Sequence, residues 1–171
     1  RGVSLNMNMN LSIPLHLMLG ATYMDVYQMN DPDGGGKLVR SNQLFAPKWS
    51  GNFALTYTLP QRWTIDLTGQ INGPMRLPLQ KDDYRPEYSP LYCLANIQIT
   101  KKLGKSIELY GGLKNILNFI PQETFMRPFD PFDKQANDPV NNPKGYTFDT
   151  EYNYAPIQGI KGFAGIRYTL R

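Results

Sequence analysis

The chain has 171 residues, the size of one domain, with 18 Lys plus Arg against 14 Asp plus Glu for a net charge of +4. Its basic residues scatter through turns and loops instead of gathering on one face, so no nucleic-acid partner is expected. One cysteine, Cys93, excludes an internal disulfide, and no run of about 18 apolar residues offers a transmembrane helix.

Fourteen prolines and 15 glycines break the chain at short intervals, and 11 Tyr, 8 Phe and 2 Trp favour strands. The first period-two segment sets Val3, Leu5, Met7, Met9 and Leu11 against Ser4, Asn6, Asn8, Asn10 and Ser12. A short turn at Ser12-Ile13-Pro14 leads to the second, with Leu15, Leu17, Leu19, Ala21 and Tyr23 on one face. A long connection then runs from about Tyr27 to Pro47. Its acids and glycines, Asn30 to Gly36, resemble a calcium loop, but Asn42 stands at the twelfth place where such a loop needs glutamate; a turn is the expected reading.

The third segment offers Trp49, Gly51, Phe53, Leu55, Tyr57 and Leu59 against Ser50, Asn52, Ala54, Thr56 and Thr58. A turn at Pro60-Gln61 joins it to the fourth, Trp63, Ile65, Leu67, Gly69 and Ile71 against Thr64, Asp66, Thr68, Gln70 and Asn72. After a second long connection, Gly73 to Pro90, comes the fifth, with Leu91, Cys93, Ala95, Ile97 and Ile99. A turn over Lys101–Lys105 leads to the sixth, with Ile107, Leu109, Gly111 and Leu113. The third long connection, Asn115 to Gly159, precedes the last segment, with Ala164, Ile166, Tyr168 and Leu170.

The chain therefore reads as all-β, an antiparallel up-and-down meander of about seven strands. The apolar face carries no charge, amide or aliphatic hydroxyl, and a charge there costs about 2–4 kcal/mol at a bilayer midplane. Short turns alternate with long loops, the pattern of outer-membrane barrels with the short side periplasmic. Tyr57, Trp63 and Tyr168 fall towards one rim, and Tyr23, Trp49 and Phe53 towards the other, as aromatic girdles do. An odd strand number leads us to expect that residues 1–171 are part of a larger transmembrane barrel whose earlier strands precede Arg1. A plug-less porin or adhesion barrel and a soluble ligand-binding β-barrel are the alternatives.

Gly111-Gly112-Leu113-Lys114-Asn115-Ile116-Leu117-Asn118, the preceding Asn96 to Lys101 and the closing Gly162 to Arg171 resemble the end of TonB-dependent outer-membrane receptors. The family's terminal aromatic falls on Leu170, with Arg171 beyond it, and the aromatic insertion from Pro121 to Tyr154 resembles receptors of the Bacteroidota group. The resemblance implies a C-terminal barrel segment of a plugged 22-stranded receptor in the cell outer membrane. Such receptors import scarce, bulky nutrients, with the metal-chelate class (ferric siderophore, haem, cobalamin) favoured here. It implies outer-membrane lipid and the TonB complex as partners, the latter through an N-terminal region that precedes this chain, with a surface lipoprotein as a further candidate.

Substrate contacts are expected on the long loops, which ride on a rigid scaffold. The candidates are Arg76 and Arg85 in the second, for an anionic ligand, and Phe125, Arg127, Phe129, Tyr146, Tyr152 and Tyr154 in the third. The third loop's aromatics equally suit a loop that packs on itself over the mouth. His16, the only histidine, has no nearby ligand set, and no Ser, His and acid group converges, so neither metal, cofactor nor enzyme is expected.

Overall fold

A computed structural model describes residues 1–31, 35–79, 85–122, 124, 134, 136–140, 142–143, 145 and 152–170. Its strands are β1 (Gly2–Asn10), β2 (Leu15–Met24), β3 (Tyr27–Asn30), β4 (Val39–Asn42), β5 (Trp49–Leu59), β6 (Trp63–Asn72), β7 (Tyr92–Leu103), β8 (Ile107–Lys114) and β9 (Lys161–Tyr168). No α-helix occurs among the described residues, and none is long and apolar enough to cross a membrane. All seven alternating segments are strands, and they lie side by side in one antiparallel sheet of order β1-β2-β5-β6-β7-β8-β9. The sheet is open: β1 and β9 are its two edges.

Because opposed residues in an antiparallel pair point to the same face, the register decides whether seven separate alternations add up to one surface. They do. Met9, Leu17, Leu55, Leu67, Ile97 and Leu113 are successive cross-strand partners in a single row, closed by Gly162 on β9. The opposite face has the matching row Asn8, Met18, Ala54, Thr68 and Asn96, and one residue past the last β7–β8 pair Lys114 opposes Lys161. A slip of one residue in any pairing would turn one strand's leucines onto the amide face.

The rows do not run parallel to the line of turns. The apolar row lies one pair from the last pair, Asn10 with His16, in the β1–β2 hairpin. It lies four pairs from Leu59 with Trp63 in β5–β6, and six pairs from Leu103 with Ile107 in β7–β8. The turns thus step by five residues across four strand spacings. At about 3.3 Å per residue and about 4.8 Å per spacing, the strands incline by roughly 40° to the normal of their own turn rim.

Three readings of the sequence need correction. The first long connection is not structureless: Tyr27–Asn30 and Val39–Asn42 pair as a separate hairpin, β3 with β4. It is held at its base by Arg40, which donates to both carboxylate oxygens of Asp25 at 2.8 and 2.7 Å and stacks 4.0 Å from the Tyr27 ring. The third turn is shorter than Lys101–Lys105, because β7 continues to Leu103 and Gly104 takes the left-handed conformation (φ +66°) that closes the hairpin. That extension places Lys101 on the apolar face, as the partner of Trp63 and Leu109. The face therefore does carry one charge, at the short-turn rim, where the ammonium lies 4.7 Å from the Trp63 ring and donates to the Gln61 carbonyl.

The buried core lies at the long-loop rim, on the polar side of β7. Met75, Leu77, Tyr92, Leu94 and Tyr152 form it, with Leu79, Phe119, Tyr154 and Ala155 packed alongside. Tyr92 and Leu94 belong to the polar side of β7; the rest come from the second and third long connections, which fold down onto it at the long-loop rim. The apolar face of the sheet, by contrast, stays largely open among the described residues: Leu5 is 70% exposed, Ile99 45% and Ile166 72%, although Ala95 on β7 is buried.

Candidate functional site

The long-loop rim is built by extended segments that bury alternate residues. In Gly73–Leu79, Met75 and Leu77 point inward at 5% and 3% exposure, and Ser89 crosses to them. Met75 N–H donates to the Ser89 hydroxyl, Ser89 N–H to the Met75 carbonyl, and Leu77 N–H to the Glu87 carbonyl. The third connection docks on this frame through aromatic contacts. Tyr92 stacks on Phe119 with centroids 4.9 Å apart, and its hydroxyl donates to the Tyr154 carbonyl at 3.1 Å.

Arg85 stitches the two connections together. It is 3% exposed, lies 4.3 Å from the Tyr152 ring and donates to the Thr124 carbonyl at 3.1 Å; Tyr152 N–H donates to the same carbonyl. A buried guanidinium needs such partners, because losing hydration without them is expensive. Arg76 joins the first and second connections instead. Its guanidinium donates to Glu87 at 3.2 Å and to the Asn42 carbonyl at 3.4 Å, while its own carbonyl accepts from Phe45 N–H.

The eight expected contact residues therefore do not form one site. Arg85 and Tyr152 are buried in the loop seam, Tyr154 borders it, and Arg76 stands at a different seam beside Tyr88. Phe125, Arg127, Phe129 and Tyr146 lie outside the described residues. Around the seam opens a cleft of about 780 Å³, lined by Tyr88, Tyr92, Phe119, Tyr152, Tyr154 and Gln122 among others. The described end of the third connection packs against the second connection and Tyr92, and Tyr154 also borders open space. Tyr92 and Phe119 were not anticipated. Tyr92 reads as an ordinary polar-face position of a strand, and its stacking partner arrives only through the fold of the loop.

Asn115 anchors both ends of the third connection. It is buried and left-handed (φ +51°), a conformation asparagine tolerates better than most residues. Its side-chain amide donates to the Phe119 and Gln158 carbonyls at 2.8 and 3.1 Å, and its Oδ1 accepts from Phe119 N–H at 3.0 Å. Its own N–H donates to Asn96 Oδ1 at 3.0 Å. Asn118 Oδ1 accepts from Ile160 N–H, adding a second tie between the loop's entry and exit.

The polar face below the rim is rich in amides and hydroxyls, interrupted by Met18 and Ala54. Two hollows, of about 530 and 120 Å³, share Asn52 and Gln70. Gly20 forms part of the floor: a Cβ there would collide with Asn52 Oδ1 and sit 2.9 Å from Asn6 Oδ1. Formal charge gathers at the other end, where Glu108 pairs with Arg167 at 3.0 Å and Lys102 at 3.5 Å. His16 takes part in the wall through a 2.6 Å hydrogen bond with Asn8 Oδ1. No group of three or more His, Cys, Asp or Glu suited to a metal occurs among the described residues.

The chain matches no protein-family model, and no curated protein is significantly similar to it.

Proposed function

We propose that this chain is a segment of an outer-membrane β-barrel, and that the barrel is a nutrient receptor and transporter of the TonB-dependent kind. The observation that carries the membrane reading is the uncovered apolar face, registered row by row across seven strands. Seven strands at about 4.8 Å spacing and about ten residues each make a surface on the order of 900 Å² in plan. Soluble monomers rarely expose more than a few hundred Å² of contiguous apolar surface, so hydrocarbon is the environment that fits it.

The strand inclination supports the same reading. Roughly 40° lies inside the about 35–45° range that closed membrane barrels need. Trp63 and Lys101 suit an interface, since an amphipathic ring and a cation reaching towards water both belong there. Three tight turns on one rim and three long connections on the other match periplasmic and extracellular sides.

Import is the narrower reading. It rests on the resemblance of Gly111 to Asn118 and Gly162 to Arg171 to TonB-dependent receptors, with a metal chelate as the cargo class and the TonB complex as the energy source. The loop cluster supports a receptor over a bare pore, because the connections pack inward over the polar wall. The test is expression of the intact protein in a Gram-negative host. It should fractionate with the outer membrane and migrate differently on gels before and after boiling, and uptake of its cargo should stop in a strain lacking TonB. A protein that stays soluble without detergent would overturn the membrane reading. Membrane insertion with TonB-independent ion conductance would favour a porin.

A further inference from the structure

The polar wall ends in an arrangement that import by itself does not require. Lys114 and Lys161 are directly opposed on β8 and β9. Like charges so placed repel each other, yet neither lysine enters a salt bridge among the described residues. The nearest compensation is the Phe163 ring, 5.6 Å from the Lys114 ammonium. The one carboxylate lining an adjoining hollow, Asp66, is engaged by the Thr56 hydroxyl at 2.7 Å.

Both lysines line the hollow of about 530 Å³, together with Pro156, Gln158 and Gly159 from the exit of the third connection. The rest of its lining is uncharged: Leu94 and Pro156 are apolar, while Asn52, Thr68, Gln70, Asn96 and Gln158 supply amides and a hydroxyl. Asn52, Gln70 and Thr68 make no side-chain hydrogen bond within the described protein. The hollow thus offers two uncompensated cations at one end and amides that both donate and accept along its length.

We propose that this hollow is a binding site for a small anionic, hydroxyl-bearing ligand, its carboxylate held between Lys114 and Lys161 and its hydroxyls by Asn52, Gln70 and Thr68. The chemistry is shared by acidic sugars and by hydroxycarboxylate chelators. A neutral sugar leaves the lysine pair unmatched, and a bare carboxylate leaves the amides unused. The site goes beyond the import reading and does not depend on it, since the same face meets water in either case.

The test is calorimetric titration of the intact protein in detergent with glucuronate, citrate, glucose and acetate. Glucuronate or citrate should bind saturably, and whichever binds more tightly identifies the source. Glucose and acetate should each bind at least about tenfold more weakly, the scale of one charge-assisted hydrogen bond. Lys114→Gln and Lys161→Gln should each weaken binding about tenfold and flatten its salt dependence. Lys114→Arg and Lys161→Arg, which keep the charge and control for folding, should bind within about threefold of the parent. Equal binding of glucose and glucuronate, unchanged binding in the glutamine variants, or no saturable binding of either anion would overturn the proposal. Failure of membrane insertion with binding intact would overturn only the transport reading.

Discussion

Leu67 is the position where the two environments for the apolar face differ most. It sits mid-strand in β6, four residues from Trp63 and four from Ile71 on the same face, with Leu55 and Ile97 as its cross-strand partners. At about 3.3 Å per residue and an inclination of roughly 40°, it lies about 10 Å from each flanking position along the rim normal, near the centre of an apolar band about 25 Å tall. Leu67→Arg should therefore cost about 2–4 kcal/mol in a bilayer, roughly a 30- to 900-fold loss in the folding equilibrium. Thr68→Arg, one residue along on the exposed polar face, should change stability by no more than about 0.5 kcal/mol. The assay is urea unfolding of the intact protein in lipid vesicles, followed by tryptophan fluorescence. If the face meets water, Leu67→Arg is a substitution at a half-exposed site and the two variants are alike. Equal effects, or a larger one for Thr68→Arg, would refute the reasoning.

Asn115→Ala should release the third connection, because it removes hydrogen bonds from a buried node and puts a less tolerant residue at φ +51°. Amide exchange over 152–160 should accelerate by roughly tenfold or more; Asn115→Gly, which relieves the backbone but not the hydrogen bonds, should do nearly the same. Arg85→Lys should loosen the loop seam by about 1–2 kcal/mol, since an ammonium cannot reproduce the planar stack on Tyr152; limited proteolysis near Thr124 would report it, and unchanged cleavage would remove Arg85 from that role. Gly20→Ala should cost under about 1 kcal/mol, because only movable amide ends obstruct the new methyl, whereas Gly112→Ala should cost about 1–3 kcal/mol, because the Ile97 backbone carbonyl and the Phe163 ring stand there. Urea midpoints that reverse this order would contradict the packing.

The seven strands are legible in the sequence because an uncovered face imposes its period on every strand that contributes to it. Leu15, Leu17 and Leu19, or Ile97 and Ile99, read as alternation before any partner is known. The β3–β4 hairpin was not legible, since four residues such as Tyr27–Asn30 are too few to show a period, and the sequence between its arms looks like the middle of a loop. Lys101 and Lys102 look like turn residues because they are charged, but the backbone pairing carries through them to Leu103. The site was less legible than the fold for the same kind of reason. Arg85 and Tyr152 show their residue types but not that they satisfy each other, and Lys114 and Lys161 become neighbours only through the register of β8 with β9.

The membrane reading stands most directly on which medium each alternate residue meets. Single cysteines at 64–71 on β6, in the intact protein with Cys93 replaced by serine, can each carry a nitroxide and be measured in vesicles for collisions with oxygen and with a water-soluble nickel complex. Positions 65, 67, 69 and 71 should favour oxygen, with a maximum at 67 or 69, and positions 64, 66, 68 and 70 should favour nickel. Equal accessibility to nickel at all eight positions, or an inverted alternation, would contradict a lipid-facing sheet.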